Sequence, residues 1–214
     1  MKILFFGDSI TDACRAREKT YAPALSLGCG YAQHVASRLI EKSPTGYEFV
    51  NTGIAGHRIV DLYARVATDV WAHTPDLVSI LVGINDVWHE TDRIFGVEPA
   101  RFERVYRMLI EETMQKLPRA KILLCAPFML KMGVIEKEWS AFCNTHLYIE
   151  IVEKLAKEYG LYFLPLQEKI DEAAAKYGAE NVLFDGVHPA PAGAVLIAGE
   201  WLKVFEKIEE DIKK

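Results

Sequence analysis

A three-layer α/β/α sandwich around a five-stranded parallel sheet is predicted by three observations. Five short segments are apolar at consecutive positions, as in strands covered on both faces. Amphipathic helical stripes alternate with them, and strand–helix–strand alternation produces a parallel sheet with right-handed crossovers. The residues with chemical potential fall just after strands, where open α/β sheets gather their sites.

In chain order, the strand segments are 2–6, 47–51, 77–82, 121–126 and 161–164. The helical segments are 30–42, 59–72, 99–117, 139–159, 167–177 and 192–212. The clearest helix, 99–117, carries Phe102, Val105, Tyr106, Leu109, Ile110, Thr113 and Leu117 on one stripe. Arg104, Arg107, Glu111 and Lys116 lie opposite, and Pro99 and Pro118 bracket the helix. The last helix has Ile197, Trp201, Phe205, Ile208 and Ile212 at core-facing intervals. Five strands in the order 2-1-3-4-5 would give the flavodoxin-like arrangement.

At 214 residues the chain suits one domain, 1–214, able to bury a core without staples. A net charge of -5, with both signs mixed along the chain, gives no electrostatic case for nucleic acid or an anionic membrane. The opening Met1-Lys2-Ile3-Leu4-Phe5-Phe6 is too short for the apolar core of a signal peptide, and no run is long enough to span a bilayer. Cys14, Cys29, Cys125 and Cys143 lack C-x-x-C spacing and zinc-type histidine pairs. Free thiols without an export signal point to the cytoplasm, with pairing of Cys14 and Cys29 as the alternative.

Ser9, in Gly7-Asp8-Ser9-Ile10 behind the first strand, is the candidate nucleophile. A serine hydroxyl needs an adjacent base, and a helix N-terminus behind it favours developing negative charge. His188 is the candidate base, and Asp185 three residues earlier can orient its ring from within one loop. Taken singly, Ser9 reads as a helix cap and the Asp-x-x-His pair as an ordinary loop. Gly53 and Asn85 are candidate oxyanion donors, the first through its backbone N–H and the second through its side-chain amide. Their plainer readings are a turn glycine and a helix N-cap. His57 and His89 fall in crevice loops and are candidates for lining a substrate site, whereas His34, His73 and His146 read as helix-surface or packing residues. The sequence lacks the second glycine of a G-x-S-x-G elbow, a Walker loop and an H-E-x-x-H helix.

Taken together, Ser9 in Gly-Asp-Ser-Ile-Thr, Gly53 in Asn-Thr-Gly-Ile-Ala-Gly, Asn85 in Gly-Ile-Asn-Asp-Val-Trp and His188 in Asp-Gly-Val-His-Pro resemble the SGNH, or GDSL, hydrolases. Within that family, Arg15-Ala16-Arg17, Leu27-Gly28-x-Gly30-Tyr31 and Asp61-Leu62-x-Ala64-Arg65 look most like intracellular acetylxylan and acetyl-xylo-oligosaccharide esterases. The resemblance implies a serine esterase of small acyl esters, without metal or other cofactor, assembling as a homo-oligomer. It assigns Ser9, Asp185 and His188 to a triad, and the Ser9 N–H, Gly53 and Asn85 to the oxyanion. A lysophospholipid or thioester substrate is the alternative within the family, and a non-catalytic carbohydrate-binding module the alternative outside it. His57-Arg58 departs from the small polar residue expected after Gly56, which bears on sugar preference. Trp88 is placed to face a pyranose or to pack in the core. Arg15, Arg17 and Arg58 are donors for sugar hydroxyls, or else pair with Glu18 and Asp61.

Overall fold

The computed structural model describes residues 1–17, 23–92 and 95–213. Strands β1 (Lys2–Gly7), β2 (Glu48–Asn51), β3 (Leu77–Leu81), β4 (Lys121–Cys125) and β5 (Tyr162–Leu164) pair in parallel, in the order β2-β1-β3-β4-β5. This is the predicted order. The central strands need no polar face because both sides are covered: Ile3, Leu4, Phe5 and Phe6 are all wholly buried. The one polar side chain inside β3, Ser79, accepts a hydrogen bond from Trp201 Nε1 at 2.9 Å. Register sets Gly7 opposite Leu81, Leu81 opposite Cys125, and Cys125 opposite Leu164, so the carboxyl ends of four strands finish level.

Helices cover both faces. Helix α2 (Tyr31–Lys42) packs against α11 (Pro191–Lys213), while α3 (Ile59–Asp69) packs against α5 (Pro99–Lys116), and α5 against α8 (Thr145–Glu158). Helix α9 (Gln167–Tyr177) has the predicted bounds. Two predicted helices are shorter than their patterns. The segment 59–72 ends as α3 at Asp69 and tightens into a 3-10 turn over Trp71–His73, closed by Thr74 in the left-handed region at φ 46°. The segment 139–159 divides into α7 (Trp139–Phe142) and α8, where Thr145 Oγ1 donates to Phe142 O at 2.7 Å and competes with the helical ladder. Four further helices, α1 (Ser9–Asp12), α4 (Ile84–Asp92), α6 (Gly133–Lys137) and α10 (Ala179–Val182), are too short to impose a periodicity on the sequence.

Candidate active site

The nucleophile's position follows from Gly7. A Cβ there would lie 2.4 Å from both Leu81 O and Thr11 Oγ1, so only glycine lets β1 turn this tightly into α1. Asp8 caps the turn, its Oδ1 accepting from the Ile10 N–H at 3.0 Å. Ser9 therefore opens the helix, and Asp8 rather than Ser9 is its cap. The helix ends after one turn because Ala13 and Cys14 both enter the left-handed region, at φ 42° and 60°.

Asp185 and His188 belong to a loop that holds itself in shape. The Phe184 N–H donates to His188 O at 3.0 Å, and Leu183 bridges Pro189. Gly186, at φ 98°, passes so close to Leu130 and Met132 that a Cβ would lie 2.8 Å from each carbonyl oxygen. Within this loop Asp185 Oδ1 accepts from the Val187 and His188 amides at 2.9 and 2.7 Å, and Oδ2 accepts from His188 Nδ1 at 2.7 Å. With Nδ1 protonated, Nε2 is the acceptor that faces Ser9, 2.8 Å from Oγ. Burial alone would raise the Asp185 carboxyl, but the His188 amide, the imidazole and the Val187 amide outweigh it and hold the group below its ordinary value. The geometry suits proton transfer from hydroxyl to imidazole, with a carboxylate fixing the tautomer.

One expected oxyanion donor has to be corrected. The Gly53 N–H is already donated to Asn51 Oδ1 at 2.9 Å, so it is not free for a substrate oxygen. Asn51 also donates to Thr11 O at 2.6 Å and Leu27 O at 2.9 Å, which fixes its orientation. Gly53 is glycine for packing, since a Cβ would lie 2.4 Å from Asp12 N. Three residues on, Gly56 sits in an exposed turn at φ 80°, and its N–H has no acceptor among the described residues. Its carbonyl accepts from His89 Nε2 at 3.2 Å, which anchors the turn. Asn85 is 5% exposed and donates to His57 O at 3.1 Å, leaving its second amide hydrogen available. Lying inside α4, it is not that helix's cap.

The substrate candidates divide. The Trp88 ring lies 6.4 Å from the His188 ring and 5.7 Å from Phe142, so it is both near the base and packed. His57 faces the guanidinium of Arg65, its Nδ1 accepting from Arg65 Nε at 3.1 Å; burial and that cation lower its pKa and keep it neutral. Arg58 pairs with Asp61 at 2.8 Å and caps α3. Arg17 pairs with Asp12, and Arg15 donates to Gly53 O at 2.8 Å; the alternative partner Glu18 lies outside the described residues. Arg15 and Arg58 are thereby committed to the scaffold, whereas Arg17 is half-exposed and lines the cleft described below.

Several residues that shape the site carry no distinguishing signal in the sequence. Two buried carboxyls flank the site. Burial pushes Asp8 up to about 7, against the opposing Ile10 amide and His188, and its Oδ2 has no partner among the described residues. Asp86, wholly buried, accepts from the Ile59 N–H at 3.1 Å; burial lifts it well above the carboxylate range. Arg65 donates to Thr52 O at 2.6 Å and Gly7 O at 3.0 Å, joining the ends of β1 and β2. An open cleft of about 870 Å³ leads from Ser9 and His188 past Cys14, Cys29, His34, Phe184 and Pro191. His34, expected on a helix surface or in packing, lines the cleft, and so does Phe184. The only local signal for Phe184 was its place beside Asp185.

Comparison with known proteins agrees with this geometry. Residues 5–196 match the GDSL-like Lipase/Acylhydrolase family. An acetylxylan esterase of Geobacillus stearothermophilus is 35% identical over 209 residues, covering 94% of this chain and 92% of that protein. The crystal structure of a GDSL-like lipase from Parabacteroides merdae superposes with a TM-score of 0.89 at 32% identity, covering 96% of this chain and 95% of that one. A catalytic mutant of the Geobacillus stearothermophilus acetylxylan esterase gives a TM-score of 0.82 at 34% identity, covering 95% and 93%.

Proposed function

Because the chain belongs to the GDSL-like lipase/acylhydrolase family and is a carboxylic ester hydrolase, we propose that it removes acetyl groups from acetylated sugars, xylo-oligosaccharides foremost. The observation that carries the mechanism is the continuous relay from Ser9 Oγ to His188 Nε2 at 2.8 Å and from His188 Nδ1 to Asp185 Oδ2 at 2.7 Å. The identity to an acetylxylan esterase over nearly the whole chain supports the acetyl-sugar substrate.

In this reading Ser9 Oγ attacks the acetyl carbonyl while His188 Nε2 takes its proton. The oxyanion is met by the Ser9 N–H, the Asn85 side-chain amide and, in place of Gly53, the Gly56 N–H. His188 then gives its proton to the leaving sugar oxygen, and the acetyl group stays on Ser9. Water, deprotonated by His188, attacks the acetyl-enzyme; the bond to Ser9 Oγ breaks, His188 returns the proton to that oxygen, and acetate leaves. Asp185 stabilises the imidazolium in both halves and stays ionised.

A hydrolysis panel tests the proposal: p-nitrophenyl acetate, butyrate and octanoate beside acetylated xylo-oligosaccharides, with wild type and Ser9→Ala. Acetate preference and loss of turnover in Ser9→Ala are expected. Preference for octanoate would sink the acetyl assignment, and a tenth of wild-type kcat in Ser9→Ala would sink the nucleophile.

A cytoplasmic location and a homo-oligomeric state complete the reading. The four free cysteines, three of them exposed, support a reducing compartment. No helix among the described residues is long and apolar enough to cross a membrane. The family resemblance supports assembly, which light scattering on the purified protein tests.

A further inference from the structure

We propose that Phe184 is the platform on which the alcohol part of the substrate, the pyranose bearing the acetyl group, rests during the reaction. The inference builds on the acetyl-sugar reading above and names the residue that selects the ring.

Three observations converge on it. Phe184 is 61% exposed, although it is a large apolar side chain beside a catalytic loop. Its ring lies parallel to the imidazole of His188, with centroids 5.7 Å apart and planes inclined by 19°. It also lines the cleft of about 870 Å³ that opens from Ser9, together with Pro189, Pro191 and Ala194. Exposed aromatic surface beside a cleft marks a place where a ligand is covered.

The chemistry decides which part of the substrate lies there. When Ser9 Oγ attacks, the carbonyl oxygen must turn towards its donors, and the leaving oxygen must come within reach of His188 Nε2. The alcohol therefore runs along the imidazole side. The cleft follows that side: His188 and Phe184 line it, whereas Asn85, Gly56 and Trp88 do not. An acetyl methyl fills only a small part of such a volume, so most of the cleft serves the alcohol. A pyranose presents a face of axial C–H groups, which matches the face of a benzyl ring. The backbone carrying Phe184 is anchored, its N–H donating to His188 O at 3.0 Å, and the ring rests against the imidazole.

The test compares kcat and KM for wild type, Phe184→Ala and Phe184→Trp on an acetylated methyl xyloside and on ethyl acetate, whose alcohol has no ring. Melting temperatures are measured alongside to establish folding. In Phe184→Ala the ratio of kcat/KM for xyloside over ethyl acetate should fall about 10-fold, through KM, as for loss of one apolar pocket contact. Phe184→Trp should restore the ratio. An equal loss on both substrates would mean that the ring acts only by positioning His188, and no change on the xyloside would mean no platform; either overturns the inference alone. A wild-type enzyme that cleaves ethyl acetate but no acetylated xyloside overturns the acetyl-sugar reading and the platform with it.

Discussion

Asp185 holds His188 at two points with one carboxylate: Oδ1 takes the backbone N–H at 2.7 Å, and Oδ2 takes the imidazole Nδ1 at 2.7 Å. The same group therefore shapes the loop and sets the tautomer. Asp185→Asn keeps a carbonyl oxygen for one task only. If that oxygen stays on the backbone, an amide N–H faces Nδ1 and turns the acceptor side of the ring away from Ser9. We expect kcat to fall by about 10⁴ with little change in melting temperature, the pattern of a tautomer defect. Asp185→Ala should lose melting temperature as well. Steady-state kinetics and calorimetry on the pair separate the two tasks; similar kcat for Asp185→Asn and wild type would refute the relay.

Asn85→Ala should lower kcat by about 10²–10³, since one oxyanion donor is worth roughly 3 kcal/mol in the transition state. KM should move little, because the ground-state ester lacks the charge that Asn85 recognises. Losing the bond to His57 O should cost about 1 kcal/mol of stability. A stability loss without the kinetic loss would leave Asn85 as a loop tie.

Gly53→Ala and Gly56→Ala should fail in different ways. The added methyl at Gly53 meets Asp12 N at 2.4 Å, so unfolding should become easier by about 3 kcal/mol, as in overpacked cores. At Gly56 a Cβ meets nothing within 4 Å, leaving only the strain of φ 80°, about 1 kcal/mol. Denaturant titration gives both numbers. Equal stability of the two variants would contradict the assignment of Gly53 as the packing glycine.

Asp8 makes stability fall as pH rises. Its folded pKa of about 7 lies above the ordinary 3.8, so the native state binds the proton more tightly than the unfolded chain. The stabilisation is complete below about pH 4 and is lost as pH climbs towards 7, a change on the order of 4 kcal/mol. Asp185 has the opposite sign, its depressed pKa costing stability only as pH drops below the carboxylate range. Asp8→Asn cannot ionise, so its melting temperature relative to wild type should rise between pH 5 and pH 8. A constant difference across that range would refute the buried, proton-bearing Asp8.

Much of this was readable in the sequence, for local reasons. Consecutive apolar residues in β1, β3 and β4 announce strands covered on both faces, and Asp185 and His188 are linked by a spacing that one loop can satisfy. What escaped depends on distant partners. Asn-Thr-Gly-Ile-Ala-Gly offers two glycines, and Gly53 is excluded only because Asn51 is held by Thr11 and Leu27. His34 and Phe184 come from segments far apart in the chain that meet only across the cleft. The break between α7 and α8 turns on one hydroxyl, which a hydrophobic stripe does not register.

The Asp185–His188 loop carries its own closure, whereas the bond from Ser9 to His188 spans 179 residues of sequence. Base and carboxylate thus behave as a cartridge, and the proton relay depends on one distant alignment, a hydrogen bond between the first strand's exit and the last helix's approach. Inactivation should accordingly run ahead of denaturation. In mild urea, catalysis should fade while circular dichroism is still native, because a slight parting of the two segments separates Oγ from Nε2 and leaves the cartridge intact.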